Sequence, residues 1–283
     1  MNARGELETR LGVPPPWIVG IINVTVDSFS DGGNFLTPAQ AITHGIKLLE
    51  QGAHILDIGA ESTGPGSRPI SATEEFTRIK DVVRELSKHA FVSVDTYKAS
   101  TATQCLELGA QMVNDVSAFR ADNEMPDVVA AKNVFIVLMY SKQTGPFPHV
   151  DEVDRGYEDV VQEIGDFLRA RAKYAIEKGI SPSRIILDPG MGRYLSTRPE
   201  ISWDILSRLA ELCTLVSPYP LYLGTSRKGF LGGKLAERDP ISQLTGALAV
   251  QKGVSFLRTH NVKMARDFLS ALAKLRPVEN EST

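Results

Sequence analysis

Eight short apolar runs recur along the chain, and longer stretches with apolar residues at helical spacing lie between them. The runs cover residues 18–22, 54–58, 91–94, 111–113, 134–139, 184–187, 221–223 and 254–257. Most are continuously apolar rather than alternating, as expected for parallel strands that are buried on both faces. Strands that alternate with helices indicate βαβ units, and eight such units predict a TIM-type (β/α)8 barrel of the α/β class. An open, doubly wound sheet is the other arrangement that is compatible with the pattern.

The helical spacing is clearest in four of the stretches between these runs. Apolar residues recur every three or four positions at Ala39, Ile42, Ile46 and Leu49, at Phe76, Ile79, Val83 and Leu86, within 159–178 and within 262–275. The last stretch could pack on the barrel or on a second subunit. The chain has 283 residues, and one (β/α)8 barrel takes about 250. We therefore expect a single barrel over residues 17–276, an N-terminal extension over 1–16 and a C-terminal tail over 277–283.

Charge and composition exclude several classes of protein. The net charge is −3, and the absence of a long basic tract argues against a nucleic-acid partner. No apolar run approaches the roughly 18 residues of a membrane span, and the first ten residues have no apolar core of a signal peptide. Cys105 and Cys213 are far apart and have no metal-ligand spacing, which is typical of core cysteines in a reducing compartment. These features predict a cytoplasmic enzyme with small-molecule substrates.

Every apolar run ends at a polar residue, and the carboxyl ends of barrel strands converge on one face. The residues at these ends include Asn23, Asp57, Asp95, Asn114, Asp188, Lys228, Arg258 and His260. Any one of them could cap the following helix. So many carboxylates and amides beside apolar strands are costly to bury, however, unless they are paired or bind a ligand. The set therefore predicts an active site at this face.

The kinds of side chain indicate the kind of ligand. Asp57, Asp95 and Asp188 offer acceptors for the N–H groups of a ring edge, and Asn114 offers both a donor and an acceptor. Lys228, Arg258 and His260 supply positive charge, which suits a phosphate or diphosphate. Together they indicate a nitrogen-rich heterocycle that carries phosphate. None of the common phosphate-loop, dinucleotide, zinc-protease or serine-hydrolase motifs occurs in the chain.

Two longer motifs make the chain resemble a known family. Residues 23–33 (NVTVDSFSDGG) look like the first signature of dihydropteroate synthases, and residues 57–63 (DIGAEST) resemble the second. Shorter matches follow in the family's order at 93–96, 114–117, 188–190, 226–228 and 258–260. The resemblance covers the chain from the first strand to the last. It implies a barrel, a homodimer and a Mg²⁺-assisted reaction.

The resemblance also implies the reaction and the roles of individual residues. The family joins 6-hydroxymethyl-7,8-dihydropterin diphosphate to 4-aminobenzoate: the bond to diphosphate breaks first, and the amine attacks the pterin cation. The pterin set would be Asp95, Asn114, Asp188 and Lys228, and the diphosphate set would be Asn23, Thr63, Arg258 and His260, with Mg²⁺ on Asn23. Asp31 would act with Asp95, Lys228, Arg258 and His260 in catalysis, and Phe29 and Asp31 would lie on a loop that closes over the reacting carbon. The aminobenzoate pocket would comprise Phe29, Thr63, Gly64, Pro65, Arg68, Arg193 and Gly229.

The sequence departs from the family pattern mainly around the aminobenzoate. Gly64 stands where the family has arginine, Arg193 where it has phenylalanine, and Gly229 where it has serine; Val26 and Tyr140 replace a proline and a histidine. One interpretation is a rebuilt pocket in which Arg68 or Arg193 meets the carboxylate. Such a pocket could also tolerate sulfonamides, which mimic aminobenzoate. A silent pterin-binding paralogue and a pterin-dependent methyltransferase are the alternatives.

Overall fold

The computed structural model describes residues 3–24, 37–61, 69–143 and 156–275. Its strands are β1 (Trp17–Asn23), β2 (Ile55–Gly59), β3 (Phe91–Asp95), β4 (Met112–Asp115), β5 (Phe135–Met139), β6 (Ile185–Asp188), β7 (Tyr222–Leu223) and β8 (Phe256–Thr259). Its α-helices are α1 (Ala3–Leu11), α2 (Pro38–Glu50), α3 (Ala72–Leu86), α4 (Ala99–Glu107), α5 (Met125–Lys132), α6 (Val160–Glu177), α7 (Pro199–Ser207), α8 (Leu209–Leu215), α9 (Arg238–Gln251) and α10 (Val262–Lys274).

The eight strands form a closed parallel barrel. Their order is β6-β5-β4-β3-β2-β1-β8-β7, and a parallel bridge between Leu187 and Leu221 joins the two ends of the sheet. Each apolar run that the sequence identifies overlaps one strand, so the predicted (β/α)8 barrel is confirmed and the open sheet is wrong. Because the strands continue to Asn23, Asp95, Asp115, Asp188 and Thr259, the polar residues that follow the apolar runs belong to one rim.

Side chains along each strand alternate between the barrel interior and the layer that faces the helices. Trp17, Phe91, Phe135 and Phe256, near the amino-terminal ends of their strands, pack in the interior. The Trp17 and Phe256 ring centroids are 4.8 Å apart. Leu7 of α1 is buried in the same cluster, so residues that the sequence places before the barrel help to cover its floor. The interior is thus apolar at one end and polar at the other.

The helices pack their apolar stripes on the outside of this barrel. On α3 the predicted residues Ile79, Val83 and Leu86 are fully buried. On α2 the most buried residues are Ala41, Gly45 and Leu48, which is one position away from the predicted stripe. A Cβ at Gly45 would lie 2.6 Å from Leu86 Cδ1, so this glycine lets α2 and α3 approach closely, which the apolar periodicity does not reveal.

The structure describes only some of the segments for which the sequence makes further predictions. On α10 the residues Val262 and Ala265 are buried, so this helix packs at least one face on the barrel. No helix in the four described ranges is long and apolar enough to cross a bilayer. Residues 277–283, expected to be a tail, lie outside those ranges.

Candidate active site

One cavity of about 500 Å³ opens at the carboxyl ends of the strands. Nine residues that the family resemblance assigns to the site line it: Asn23, Asp95, Asn114, Asp188, Arg193, Lys228, Gly229, Arg258 and His260. The other six, Phe29, Asp31, Thr63, Gly64, Pro65 and Arg68, lie outside the described residues. A cavity of this size accommodates a small organic substrate. The barrel thus brings together residues that are more than 200 positions apart in sequence.

Arg258 is the centre of the charged network at the cavity floor. Its Nε donates to Asp57 Oδ2 and its Nη2 donates to Asp95 Oδ2, both at 2.7 Å. The side-chain amide of Asn114 donates to the same Asp57 oxygen at 3.1 Å. Asp57 is completely buried and is not among the residues on the cavity wall. The sequence groups it with the ring acceptors, whereas the structure makes it the support that holds Arg258 and Asn114.

Burial shifts the pKa values of three cavity side chains, Asp95, Asp188 and Lys228, toward neutrality. It raises the pKa of Asp95 to about 7, although Arg258 opposes the shift. It raises the pKa of Asp188 to about 6, against a hydrogen bond of 2.7 Å from the Gly190 N–H. Burial lowers the pKa of Lys228 to about 8, against the attraction of Asp188. The site therefore holds charges that are poorly solvated and that a complementary ligand would stabilise.

The turn after β7 presents Lys228 and orients His260. Arg227 has a φ of 59°, and its guanidinium binds both carboxylate oxygens of Asp239 at 2.8 and 3.1 Å. Ser226 Oγ lies 2.9 Å from His260 Nδ1 and accepts a hydrogen bond from the His260 backbone N–H at 3.1 Å. The Arg227–Asp239 pair holds the left-handed backbone that precedes Lys228, and Ser226 fixes the orientation of the His260 ring on the cavity wall.

The turn after β6 forms the neighbouring part of the wall, in contact with Lys228. Gly190 has a φ of +66°, and a Cβ there would lie 2.3 Å from the carbonyl oxygen of Tyr140, so only glycine fits. This turn places Arg193 and Tyr194 on the cavity wall. Lys228 Nζ lies 4.3 Å from the centroid of the Tyr194 ring, a distance at which a cation is attracted to the ring face. An aromatic ring therefore borders the lysine that is assigned to the pterin.

Comparison with known proteins identifies the family. A family model for pterin binding enzymes matches residues 19–260. A dihydropteroate synthase of Streptococcus pyogenes is 38% identical over 266 residues, which are 91% of this chain and 95% of the relative. The chain belongs to the dihydropteroate synthase family. The predicted family and the predicted transferase class are thereby confirmed.

Solved structures of dihydropteroate synthases share the fold. The enzyme of Xanthomonas albilineans with 4-aminobenzoic acid is 35% identical, with a TM-score of 0.82 over 93% of this chain and 94% of that chain. The enzyme of Anaplasma phagocytophilum with bound 6-hydroxymethylpterin-monophosphate is 34% identical, with a TM-score of 0.82 over 93% and 100% of the two chains. The barrel of this chain is therefore the dihydropteroate synthase barrel.

Two departures from the family pattern have different consequences for the cavity. Tyr140 points out of the barrel interior: its hydroxyl donates to Glu163 at 2.5 Å, and its ring meets Phe167 edge-on at 5.1 Å. This change is accommodated between β5 and α6 and leaves the cavity wall unaltered. Gly229 does line the cavity, and a Cβ there would meet no atom within 4 Å. The loss of the family's serine at Gly229 therefore leaves open space in the wall.

The sequence does not single out two further residues of the cavity wall, Tyr194 and Arg238. Tyr194 follows the predicted Arg193 and lies on the wall, whereas Arg193 itself is exposed. Arg238, at the start of α9, also lines the cavity. No motif signals Arg238, because its place depends on how residues 229–237 fold back toward the turn that carries Lys228. The sequence offers a hint for Tyr194, since an aromatic residue one position from the family's phenylalanine can restore a ring.

A hydrated divalent cation fits the donor groups of the cavity. The described residues contain no group of three or more His, Cys, Asp or Glu side chains that could hold a metal ion alone. Mg²⁺, however, commonly keeps several waters and binds one or two protein oxygens together with substrate phosphates. Asn23 lines the cavity, and its side-chain amide makes no hydrogen bond within the described ranges. Its oxygen is the type of ligand that Mg²⁺ prefers.

The buried carboxyl of Asp188 yields a prediction about stability and pH. Because its pKa in the folded chain is raised to about 6, folding favours the protonated form. Its contribution to stability is thus largest below pH 4 and is lost as the pH rises to 6. Asp188→Asn keeps an acceptor for Gly190 and removes the charge. We expect its free energy of unfolding at pH 8 to exceed that of the unmodified chain by about 1–3 kcal/mol, and the difference to shrink toward pH 4.

Urea unfolding at several pH values measures this difference. Glu50→Gln, which removes an exposed carboxylate, is the control and should show no comparable dependence on pH. A less stable Asp188→Asn variant at pH 8 would show that the charge of Asp188 is fully compensated in the fold.

Proposed function

We propose that this chain catalyses the condensation of 6-hydroxymethyl-7,8-dihydropterin diphosphate with 4-aminobenzoate, which yields 7,8-dihydropteroate and diphosphate. The observation that supports this most directly is the meeting of two kinds of side chain in one cavity. Acceptors for a nitrogen-rich ring and cations for a diphosphate line the same space. Family membership makes this the reaction that such a cavity serves.

The pterin ring would lie against Asp95, Asn114, Asp188 and Lys228. Carboxylates accept the ring N–H groups, Lys228 donates to a ring carbonyl or nitrogen, and Asn114 can do both. Asp57 already accepts from the Asn114 amide at 3.1 Å, which fixes the orientation of that amide. The three ionisable groups have pKa values near neutrality because they are buried. The ligand would supply the hydrogen bonds that these buried charges do not receive from water.

Arg258 and His260 would hold the diphosphate and stabilise it as the carbon–oxygen bond breaks. Arg258 keeps its full charge because its partners are the carboxylates Asp57 and Asp95, which raise its pKa although burial opposes them. The charge of Asp95 would also stabilise the cation that develops on the pterin, an electrostatic effect that is large in a poorly solvated site. Mg²⁺, bound through Asn23 and the diphosphate, would neutralise negative charge on the leaving group.

The closing loop and part of the amine pocket stay predictions from the sequence. Phe29 and Asp31 would exclude water from the cation, because hydrolysis wastes the substrate. Thr63, Gly64, Pro65 and Arg68 would border the amine. These residues lie outside the described ranges, so their roles rest on the family resemblance.

The reaction is tested by the release of diphosphate from 6-hydroxymethyl-7,8-dihydropterin diphosphate, measured with and without 4-aminobenzoate. We expect release that depends on both aminobenzoate and Mg²⁺ and that EDTA abolishes. We also expect release to persist at a sulfonamide excess that stops a sensitive family member, because the wall differs at Gly229 and Arg193. Tight pterin diphosphate binding without any release would instead mark a silent paralogue.

We also propose that the enzyme is a homodimer that associates through α9. Ile241, Leu244 and Leu248 on this helix are 38%, 46% and 45% exposed and recur at helical spacing. Clustered apolar exposure of this kind indicates an interface, and a two-fold axis lets the same stripe pack against its copy. The family resemblance makes a second copy of this chain the expected partner.

Sedimentation or light scattering measures the mass in solution. The unmodified chain should run at twice the monomer mass of 30.9 kDa, and Leu244→Asp should run at the monomer mass because a charge enters the interface. Ile176→Asp changes an apolar residue on α6 that is 39% exposed and should leave the dimer intact. A monomeric unmodified chain, or a dimeric Leu244→Asp variant, would contradict this interface.

A further inference from the structure

The cavity extends past the pterin set to a more exposed region that we call the amine subsite. It is bordered by Tyr194, Gly229, Leu235 and Arg238, which are partly buried or exposed at the cavity rim. Gly229 leaves open space there. An aromatic amine with a carboxylate would need an apolar wall for its ring and a cation for its charge. The amine subsite offers Tyr194 and Leu235 for the ring and Arg238 for the charge.

Arg238 is a cation that the fold holds in place without neutralising it. Its Nε donates to the Gly232 carbonyl at 2.9 Å, its Nη1 to the Arg227 carbonyl at 3.1 Å and its Nη2 to the Gly233 carbonyl at 3.0 Å. In the ranges that the structure describes, no carboxylate forms an ion pair with it. A guanidinium has five N–H donors, so two of them remain for a ligand. The charge lies on the first turn of α9, where the helix dipole adds positive potential.

The other arginines on the cavity wall are less suited to bind a second anion. Arg227 is already paired with Asp239 through two contacts, and Arg258 with Asp57 and Asp95. Arg193 is exposed, and its side chain makes no hydrogen bond or ion pair among the residues whose structure is described. Ordering such a side chain on binding costs conformational entropy, whereas Arg238 is ordered beforehand.

Tyr194 supplies the apolar wall of the amine subsite. Its ring lies under Lys228 Nζ at 4.3 Å, which fixes the lysine chain along one side of the cavity. The ring and the lysine methylene groups supply apolar surface beside the pterin set. An aromatic amine packed there would have its amino group near the reacting carbon of the pterin and its carboxylate toward the rim.

We propose that Arg238 binds the carboxylate of the amine substrate and that Tyr194 forms the aromatic wall of the same subsite. The inference rests on the proposed function. It makes Arg238 the specificity-determining residue for aromatic amines that carry an anionic group, in place of the family's missing loop arginine. Of the two arginines that the sequence suggests, Arg193 becomes the rival candidate.

The test compares 4-aminobenzoate with 4-aminobenzamide, a neutral amine of nearly the same shape. The ratio of their kcat/KM values reports the carboxylate contact, since a general disturbance of the site lowers both values together. In Arg238→Gln we expect the ratio to fall about ten- to a hundredfold, as for the loss of a hydrogen bond to a charged group. Lys234→Gln removes an exposed cation from the same segment and should keep the ratio of the unmodified chain. Tyr194→Ala should lower both kcat/KM values, and Tyr194→Phe should restore them.

Calorimetric titration with pterin diphosphate shows whether Arg238→Gln still forms the pterin site. The inference requires a dissociation constant within about threefold of that of the unmodified chain, because Arg238 is not in the pterin set. It is overturned if Arg238→Gln keeps the ratio, which would leave Arg238 a clamp for residues 227–233, or if Arg193→Gln lowers the ratio instead. If the unmodified chain releases no diphosphate with either amine, the proposed function fails and this inference fails with it.

Discussion

The guanidinium of Arg258, held between Asp57 and Asp95, is the interaction on which the site depends. It joins β8 to β2 and β3 with two contacts of 2.7 Å, and it forms only because the barrel brings these strands together. Buried charges of this kind are expensive to desolvate, and removal of one partner leaves another uncompensated. Loss of any one of these contacts would therefore disrupt the cavity floor. The same three side chains that stabilise one another also present an arginine and a carboxylate to the ligand.

The division of the barrel interior into an apolar floor and a polar rim explains why the fold tolerates such a site. Trp17, Phe91, Phe135 and Phe256 fill the amino-terminal end, where burial of apolar area supports the fold. At the other end the pKa values of Asp95 and Asp188 are raised by burial, which means that ionised carboxylates cost stability there. A ligand that donates hydrogen bonds to these groups regains that free energy on binding. The active site thus lies at the end of the barrel where burial of charged groups costs stability.

The sequence reveals those features that depend on local pattern. Continuous apolar runs predict the strands, and the polar residues that follow them predict the rim, because the direction of a parallel strand fixes where its end lies. Asp57 illustrates the limit of such local patterns. The sequence identifies it as a polar residue of the rim, but the side of the cavity floor on which it lies depends on strand stagger and on Arg258, 201 positions away. Arg238 and Tyr194 depend on loop geometry, which has no periodic signal. The most buried residues of α2 lie one position away from the predicted stripe because Gly45 permits a close contact with α3, which apolar spacing alone does not encode.

The affinity of Asp57→Asn for pterin diphosphate, measured by calorimetry beside that of the unmodified chain, tests most directly whether this buried network builds the site. Asp57 does not line the cavity, so it affects the ligand through the side chains that it holds, Arg258 and Asn114, and through its charge on Asp95 and Asp188. If the network positions these side chains, the folded variant should bind at least about tenfold more weakly, since contacts to charged groups are worth about 1.5–3 kcal/mol. Unchanged affinity in a variant that still unfolds cooperatively would contradict the claim and reduce Asp57 to a structural acid.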